Sequence, residues 1–363
     1  MKSLWLALLS ALAPLARGAP AQNVPARAAE GLPRLVLYHQ TFHNSEGHPV
    51  SVIPLITEQN IALTHLIVCS IHINLGGVIH LNDYPPSDPR FDILWDEARL
   101  LADSGVTVMG MVGGAAPGSF EKNTLDGNLT TFEHYYGQLV DMIATYRLQG
   151  LDIDVEQSMS HAGIVRLVTR LAADFGPGFV ITLAPVASAL SRSGQPNLSG
   201  FGYRRLEQAV GDKIHFYNGQ FYNGFGSMAD PQTYDELAAG YAAARVVAGQ
   251  VTTPDNGYQY VPFDTLRQTV AAIQSRYGAW GGLAGWEYFN AEPGGLSRPW
   301  EWAEIVTGIL RPGKAVDLRI TRETAKKLEA SWVRSVVSNG TSGMAASSGT
   351  VKPDIDYMAL VNA

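Results

Sequence analysis

Three acidic side chains alternate with apolar ones in one short segment of the sequence. The segment reads GLDIDVEQ from residue 150 to residue 157, and its acids are Asp152, Asp154 and Glu156. Side chains along a β-strand point to alternate faces, so a strand here places the acids on one face and the apolar residues on the other. The Cα atoms of neighbouring acids would be about 6.6 Å apart, close enough for their carboxyl groups to hydrogen-bond.

Such a row of carboxyl groups can do acid–base chemistry. Like charges this close cannot all ionise at low cost, so we expect at least one carboxyl to hold a proton near neutral pH. Glu156 is at the C-terminal end of the predicted strand. A carboxylic acid with a raised pKa at that end is a candidate general acid.

Two other interpretations of the segment are a solvated edge strand and a metal site. The edge strand is disfavoured because the opposite face is apolar and the segment is central to the pattern of predicted strands. A Mg²⁺ or Ca²⁺ site built on the acids stays open as an alternative, although the histidines show no ligand-pair spacing on a shared helix. No G-x-S-x-G elbow is present, and a lone cysteine without a local signature does not support a thiol enzyme. We therefore predict neither a metal site nor a cofactor.

The acids need a scaffold, and the sequence around them alternates β-rich runs with helical patterns. Eight runs are predicted as strands: Leu35–Gln40, Leu66–Asn74, Val106–Val112, Leu151–Glu156, Phe179–Ala184, Ile214–Tyr222, Val246–Val251 and Leu283–Phe289. Helical patterns fit near residues 91–104, 130–147, 161–174, 203–210, 232–243, 264–276 and 299–309. In the second of these helices, Thr130 and Glu133 have the spacing of a capping box, and Gly150 follows its end.

Eight strand–helix units favour an α/β fold with a parallel sheet closed into a (β/α)8 TIM barrel, whose active sites are built at the C-terminal ends of the strands. Glu156 would then lie at that end. An open doubly wound sheet is the alternative, but its nucleotide fingerprint is missing. Gly224, Gly226 and Ala229 have G-x-G-x-x-A spacing but follow the sixth predicted strand, so we interpret them as part of a flexible loop.

Composition limits the class of partner. The net charge is -7, the pI is near 5.7 and no basic stripe is present, so a nucleic-acid phosphate backbone is not expected as a partner. The first residues, MKSLWLALLSALAPLARGAP, have the charge, apolar core and small-residue cleavage site of a signal peptide, and no later run is long enough to span a bilayer. We expect a soluble, secreted monomer without a membrane anchor. The single cysteine, Cys69, excludes an internal disulfide and is expected to be buried.

The predicted organisation has four parts. They are a signal peptide (1–18), a flexible Ala- and Pro-rich leader (19–32), the catalytic barrel (33–312) and a peripheral C-terminal tail (313–363) with an amphipathic helix and a Ser/Gly-rich segment. Secretion would make the N-x-[ST] sequons at Asn128, Asn197 and Asn339 candidate glycosylation sites.

Four segments, each at the end of a predicted strand, resemble glycoside hydrolase family 18, whose fold is a (β/α)8 barrel. GLDIDVE resembles the D-G-x-D-x-D-x-E signature, and MGMVGGAAPGSF (109–120) resembles the S-x-G-G segment. GQFYNGFG (219–226) and GGLAGWEYFN (281–290) are similar to the ends of the sixth and eighth strands. The resemblance covers about residues 33 to 311. ALTHLIVCSIHIN, VIHLNDYPPSDP and LAPVASAL are most similar to secreted fungal endo-β-N-acetylglucosaminidases of this family, with class III-like chitinases beside them.

The resemblance implies a substrate-assisted, retaining hydrolysis of a GlcNAc linkage. Glu156 would be the acid and then the base, Asp154 would hold the substrate acetamido group, Asp152 would share a proton with Asp154, and Tyr222 would donate its hydroxyl to the acetamido oxygen. The implied substrate-binding residues are Gln220, Asn223, Trp286, Gly113, Gly114 and Tyr38. By strand parity Tyr222 shares a face with Gln220, whereas Tyr217 in the near-repeat HFYNGQFYN has the opposite parity and is expected to be structural.

Two positions depart from the family pattern. Gln149 replaces the first acid and Met111 replaces the usual Ser. Gln149 keeps its hydrogen-bonding ability, so we expect tuned activity and not inactivity. The predicted function is hydrolysis of the β-1,4 bond between the two GlcNAc residues of an N-glycan core. A chitinase and a non-catalytic lectin remain the alternatives, and the intact Glu156 opposes the lectin.

Overall fold

The structure is a computed structural model that describes residues 32–73 and 77–314, together with positions 316, 323, 324, 326–328 and 330. The predicted signal peptide, all of the leader except residue 32, and the sequon at Asn339 lie outside the described residues.

The predicted strands form a closed parallel barrel. Its strands are β1 (Arg34–His39), β2 (His65–His72), β3 (Thr107–Gly114), β4 (Gly150–Val155), β5 (Val180–Leu183), β6 (Phe216–Gln220), β7 (Val246–Val251) and β8 (Gly282–Trp286). Each strand pairs in parallel with the next, and β1 pairs with both β2 and β8, which closes the ring. The predicted (β/α)8 barrel is therefore confirmed.

Helices surround the ring. They are α1 (Pro54–Thr57), α2 (Asp92–Asp103), α3 (Leu129–Tyr146), α4 (His161–Phe175), α5 (Ala187–Leu190), α6 (Tyr203–Val210), α7 (Gln232–Ala238), α8 (Phe263–Tyr277) and α9 (Glu301–Leu310). A two-residue strand, His80–Leu81, adds to the end of β2 in antiparallel orientation and was not predicted.

Helices α3 and α7 show how the observed helix ends differ from the predicted ones. The N-cap of α3 is Asn128, whose side chain accepts a 3.0 Å hydrogen bond from the Thr131 backbone N–H, so the helix begins one residue before Thr130. It ends at Tyr146 with Arg147 in the left-handed conformation, and Gly150 already belongs to β4. The helix predicted over 232–243 stops at Ala238, just before Gly240, because glycine is a poor helix former.

The barrel wall separates two apolar layers, which explains why its strands are apolar on both faces. In β1, for example, Leu35 and Leu37 pack outward against the helices, whereas Val36 and Tyr38 point into the lumen. The buried lumen residues that form one cluster are Val36, Tyr38, Ile67, Cys69, Met109, Met111, Val180, Phe216, Val247 and Ala284. Cys69 is free and buried, as predicted.

Part of the C-terminal tail packs on the barrel. The described positions among residues 323–330 are helical, Leu328 is buried in the outer layer, and the Lys327 ammonium lies 2.8 Å from the Asp103 carboxylate. Apart from these positions and residues 313, 314 and 316, the tail lies outside the described residues, and its peripheral place stays a prediction. In the part of the chain that the structure describes, no helix is long and apolar enough to cross a membrane.

Candidate active site

The three acids of β4 occupy the lumen face of the barrel, as the alternation predicts. Asp152 is fully buried, Asp154 is 5% exposed, and Glu156 is half-buried one residue past the end of the strand. The strand pairing places Asp152 opposite Thr182 of β5 and Asp154 opposite Gly113 of β3. The row of carboxyls therefore rises through the lumen and reaches solvent at the C-terminal end.

Asp152 is held by donors from three other strands. The Tyr38 hydroxyl donates to its Oδ2 at 2.7 Å, and the Thr182 hydroxyl donates to its Oδ1 at 2.5 Å. Asn218 Nδ2 adds a longer contact of 3.3 Å to the same Oδ1. Burial raises the pKa of Asp152, and these hydrogen bonds to the charged form act in the opposite direction.

Asp154 and Glu156 form a hydrogen-bonded pair of carboxyl groups. Burial raises the pKa of Asp154 well above its usual range, and the charges of Glu156 and Asp152, together with a hydrogen bond to Glu156, raise it further. The protonated form of Asp154 is therefore more favoured than that of an exposed aspartate, in the direction that the spacing of the acids predicts. Gln220 Nε2 fixes the pair, because it lies 3.0 Å from Glu156 Oε1, 3.4 Å from Asp154 Oδ1 and 3.0 Å from the Ala184 carbonyl oxygen.

A cleft opens beside this pair at the C-terminal ends of the strands. Its walls include Tyr38 and Trp286, whose ring centroids are 5.6 Å apart and tilted by 59°. The Tyr222 hydroxyl stays protonated because burial, followed by the charges of Asp154 and Glu156, raises its pKa well above the usual value. The lining residues are Tyr38, Asp154, Ala184, Asn218, Gly219, Gln220, Tyr222, Gly249, Ala284 and Trp286. Of the predicted site residues, the structure thus brings together Asp152, Asp154, Glu156, Tyr222, Gln220, Trp286 and Tyr38.

The two tyrosines of the near-repeat lie on different sides of the barrel wall, as the strand parity predicts, and the role of Tyr222 stays a prediction. Tyr222 lines the cleft although β6 ends at Gln220. Tyr217 packs in the outer layer, where its hydroxyl donates a 2.7 Å hydrogen bond to Glu207.

The predicted glycines do not line the cleft. Gly113 has φ +104°, and a Cβ there would lie 2.1 Å from the Asp154 carbonyl oxygen and 2.5 Å from the Phe120 ring. The close approach that Gly113 permits is therefore to the backbone of β4. Gly114 also has a positive φ, of +92°, a conformation that favours glycine. A contact of either backbone with a sugar stays a prediction.

Asn223 also lies outside the cleft lining. It has φ +54°, its side chain is exposed, and its Oδ1 accepts a 2.8 Å hydrogen bond from the Tyr258 backbone N–H. Asn223 therefore helps to hold the loop that follows β7. Its contact with a sugar stays a prediction.

The two departures from the family pattern fall at different levels of the barrel. Gln149 precedes β4, and its Oε1 accepts a 2.8 Å hydrogen bond from the Val108 backbone N–H at the start of β3. It is therefore remote from the cleft at the other end of the strand. Met111 is buried in the lumen and pairs with Asp152 in the strand register. Since a thioether is at most a weak acceptor and not a donor, the hydrogen bonds to Asp152 come from Tyr38, Thr182 and Asn218 instead.

Thr182 and Asn218 were not predicted from the sequence. Asn218 has the same strand parity as Gln220, so the lumen face of β6 could have indicated it. Its Oδ1 is buried without a partner in the structure and belongs to a side chain that lines the cleft. The contact of Thr182 with Asp152 depends on the register between β4 and β5. The sequence pattern within a single strand does not reveal that register.

A larger hollow lies outside the barrel between α5 and α6. Three arginines, Arg192, Arg204 and Arg205, are among its lining residues, and none of the described lining residues is a carboxylate. The paired carboxyls that could transfer protons are therefore in the smaller cleft.

Two of the predicted glycosylation sites lie in the described residues. Asn128 is exposed at the N-cap of α3 and uses Oδ1 for the cap. Asn197 is half-buried, and its Nδ2 donates a 2.7 Å hydrogen bond to the Phe201 carbonyl oxygen. Glycosylation of either residue, or of Asn339, stays a prediction.

No group of three His, Cys, Asp or Glu side chains placed to hold a metal ion occurs in the described part of the chain. The arrangement supplies a half-buried carboxyl, a second carboxyl beside it whose pKa is raised, a protonated tyrosine hydroxyl and an aromatic wall. These groups suit proton transfer to a leaving oxygen while a neighbouring polar group is held in place.

Comparisons with known proteins point to one family. A fungal endo-β-N-acetylglucosaminidase from glycosyl hydrolase family 18 is 60% identical, with a TM-score of 0.76 over 78% of this chain and 100% of that chain. Chitinase ChiC from Aspergillus fumigatus is 48% identical, with a TM-score of 0.69 over 74% of this chain and 96% of that chain. Chitinase 2 from Rhizopus oligosporus is 29% identical over 152 residues, and the match spans 26% of the length of that relative and 40% of this chain. No protein-family model matches the chain.

Proposed function

This chain belongs to glycoside hydrolase family 18, and we propose that it is an endo-β-N-acetylglucosaminidase that cleaves the β-1,4 bond between the two GlcNAc residues of an N-glycan core. It is a hydrolase. The observation that carries the proposal is the hydrogen-bonded carboxyl pair of Asp154 and Glu156, which Gln220 contacts beside a cleft with an aromatic wall. An intact pair of this kind opposes a purely sugar-binding role.

The carboxyl pair supports a substrate-assisted mechanism. In this mechanism Asp154 holds the proton in the free enzyme, which its raised pKa supports. When a GlcNAc acetamido N–H donates to Asp154, it favours the charged form of that carboxyl, so the proton moves to Glu156. Glu156 then delivers it to the glycosidic oxygen as the bond from that oxygen to the anomeric carbon breaks.

The nucleophile in this proposal is the acetamido oxygen of the substrate, and the family is one of the exceptions to the scheme with two catalytic carboxylates. Its attack on the anomeric carbon gives an oxazolinium intermediate. The Asp154 carboxylate stabilises the positive charge that develops on the acetamido nitrogen, and Tyr222 donates its hydroxyl to the acetamido oxygen. Glu156 finally takes a proton from the water that attacks the anomeric carbon. The proton returns from Glu156 to Asp154 when the acetamido group leaves, which restores the starting state.

Three further side chains position the reacting groups. Trp286 forms the apolar floor under the sugar at the cleavage site, and Tyr38 packs beside it. The Tyr38 hydroxyl also holds Asp152 behind Asp154, so that Asp152 can share the proton of its neighbour. Gln220 keeps the two outer carboxyls at a fixed separation.

We favour the N-glycan core over chitin as the substrate because the relative at 60% identity is an endo-β-N-acetylglucosaminidase. The second candidate is a chitinase, favoured by the relative at 48% identity. Both activities use the same acetamido chemistry, so the geometry of the cleft is compatible with either.

A product analysis separates the two. The protein is incubated with a high-mannose glycoprotein and, separately, with chitin oligosaccharides, and the products are identified by mass. A single GlcNAc left on each glycosylated asparagine supports the proposal. Shortened chitin oligosaccharides with an unchanged glycoprotein would make the enzyme a chitinase.

The stereochemistry tests the mechanism independently. Proton NMR of the first product formed should show the β-anomer, since two inversions at the anomeric carbon retain configuration. An α-anomer as the first product would exclude an oxazolinium intermediate.

We also propose that the protein is secreted after removal of residues 1–18, on the basis of the signal-peptide pattern in the sequence. N-terminal sequencing of protein from the culture medium should begin after residue 18. Protein retained in the cells with Met1 in place would contradict it.

A further inference from the structure

The loop that follows β7 is tied to the aromatic wall of the cleft. Asn256 Nδ2 lies 3.3 Å from the Trp286 carbonyl oxygen and 2.9 Å from Asn290 Oδ1. Asn290 returns a 2.9 Å hydrogen bond from its own Nδ2 to Asn256 Oδ1. One end of the loop is thus fixed to the strand end that carries Trp286.

A few residues later the same loop is tied to the segment that follows β6. Asn223, which directly follows Tyr222, donates its backbone N–H to the Tyr258 carbonyl oxygen at 3.2 Å and accepts from the Tyr258 N–H at 2.8 Å. The Gly224 N–H donates to Gln259 Oε1 at 2.5 Å. At Gly257 φ is +155°, and a Cβ there would lie 2.8 Å from Asn223 Oδ1, so this close approach depends on glycine. The loop therefore bridges the segments that carry Trp286 and Tyr222.

The aromatic ring of Tyr258, which this loop carries, is exposed to solvent. The side chain of Tyr258 is 82% exposed, the largest exposed fraction among the large hydrophobic side chains that the structure describes. Folding buries little of this ring, whereas the backbone that bears it is hydrogen-bonded on both sides of the residue. A rigidly placed, exposed aromatic ring at the rim of a binding cleft loses little conformational entropy when a ligand covers it.

We propose that Tyr258 is a substrate-binding residue that stacks on a sugar ring of the bound glycan beyond the two GlcNAc residues that flank the cleaved bond. The inference rests on the proposed function, since it requires a glycan in the cleft. The chemistry is that of an aromatic face against the C–H face of a pyranose, with the phenol hydroxyl free for a sugar hydroxyl. Asn223 then contributes to substrate binding as a positioning residue, because it fixes the backbone of Tyr258.

Chain length is the variable that tests this assignment. Kinetic constants are measured with chitin oligosaccharides of increasing length and with a high-mannose glycopeptide, for the full-length enzyme and for Tyr258→Ala, Tyr258→Phe and Leu129→Ala. Leu129 is a matched control, because it is 64% exposed but lies in the first turn of α3. We expect Tyr258→Ala to raise KM about tenfold for the longest substrates with little change in kcat, a size typical of one aromatic contact.

The remaining variants and lengths sharpen the test. Tyr258→Phe keeps the ring and should stay within about threefold of the wild-type KM, a range set by the loss of one exposed hydroxyl contact. The effect of Tyr258→Ala should shrink as the oligosaccharide shortens. In the inactive Glu156→Gln background, calorimetry with a long oligosaccharide should show the same tenfold weakening of Kd without any turnover.

Two outcomes overturn the inference and leave the proposed function intact. One is an active Tyr258→Ala enzyme with wild-type KM at every length. The other is a loss equal at every length, which would place the ring at the cleaved pair itself. A wild-type enzyme that cleaves neither substrate overturns the proposed function, and the calorimetric comparison then still shows whether Tyr258 binds sugar.

Discussion

The Thr182 hydroxyl donates a 2.5 Å hydrogen bond to Asp152 Oδ1 across the pairing of β4 with β5. Asp152 is fully buried, so this bond and the one from Tyr38 are what stabilise its charged form within the lumen. The bonds matter because the register neighbour of Asp152 on β3 is Met111, which has no donor to offer.

Thr182→Val removes that donor and nearly preserves volume. A hydrogen bond to the carboxylate lowers its pKa, so its loss should raise the pKa of Asp152 above the already raised value. The acidic limb of the kcat/KM profile should then move to higher pH, by up to about one unit for one lost bond. Thr182→Ser keeps the hydroxyl and should keep the wild-type profile. If the pH profiles of kcat/KM for wild type and Thr182→Val coincide, Asp152 does not take part in the proton sharing.

Tyr222→Phe should lower kcat while leaving folding unchanged. The hydroxyl is the donor that we assign to the acetamido oxygen, and loss of such a donor costs about a hundredfold or more in kcat. Tyr217→Phe is the matched control, because its hydroxyl bonds to Glu207 on the outer side of the barrel wall. Steady-state kinetics of both variants check this assignment, and equal losses of kcat would contradict the division of the near-repeat HFYNGQFYN into one reacting and one structural tyrosine.

Glu97 makes stability depend on pH in the direction opposite to that of a salt-bridged acid. The side chain is buried in α2, accepts from the Val52 N–H and the Ser51 hydroxyl, and burial raises its pKa to about 7 from 4.5. Between these pH values the folded chain binds more protons than the unfolded chain, so the free energy of unfolding falls as the pH rises.

Glu97→Gln should remove that dependence. Urea unfolding of both proteins at several pH values between 4 and 8 measures it, and the variant should gain roughly 3 kcal/mol over the wild type across this range. Parallel curves would mean that the Glu97 carboxyl has the same proton affinity in the folded and unfolded states.

Much of the scaffold and the chemistry could be predicted from the sequence. The barrel strands are buried on both faces and read as apolar runs, and the three acids interrupt one run at every second residue. That periodicity suffices to put Asp152, Asp154 and Glu156 in one row and to separate Tyr217 from Tyr222.

The remaining features depend on contacts between distant segments. Thr182 reaches Asp152 because of the stagger between neighbouring strands, which the pattern within one strand does not contain. Asn223 binds the backbone of Tyr258, 35 residues further along the chain, so its sequence neighbours indicated a sugar contact that the structure does not show. Gly113 likewise allows β3 to pack closely against the backbone of β4. The sequence does not indicate this role, because only the three-dimensional fold shows which backbone comes close to the glycine.

The central claim is that the Glu156 carboxyl supplies and recovers the proton in cleavage of the bond between two GlcNAc residues. The most direct test is the turnover number of wild type and Glu156→Gln on a GlcNAc-linked substrate, with circular dichroism to show that both are folded. The amide keeps the contact with Gln220 but has no proton to give, so we expect kcat to fall by about a thousandfold or more. Unchanged turnover by folded Glu156→Gln would contradict the account.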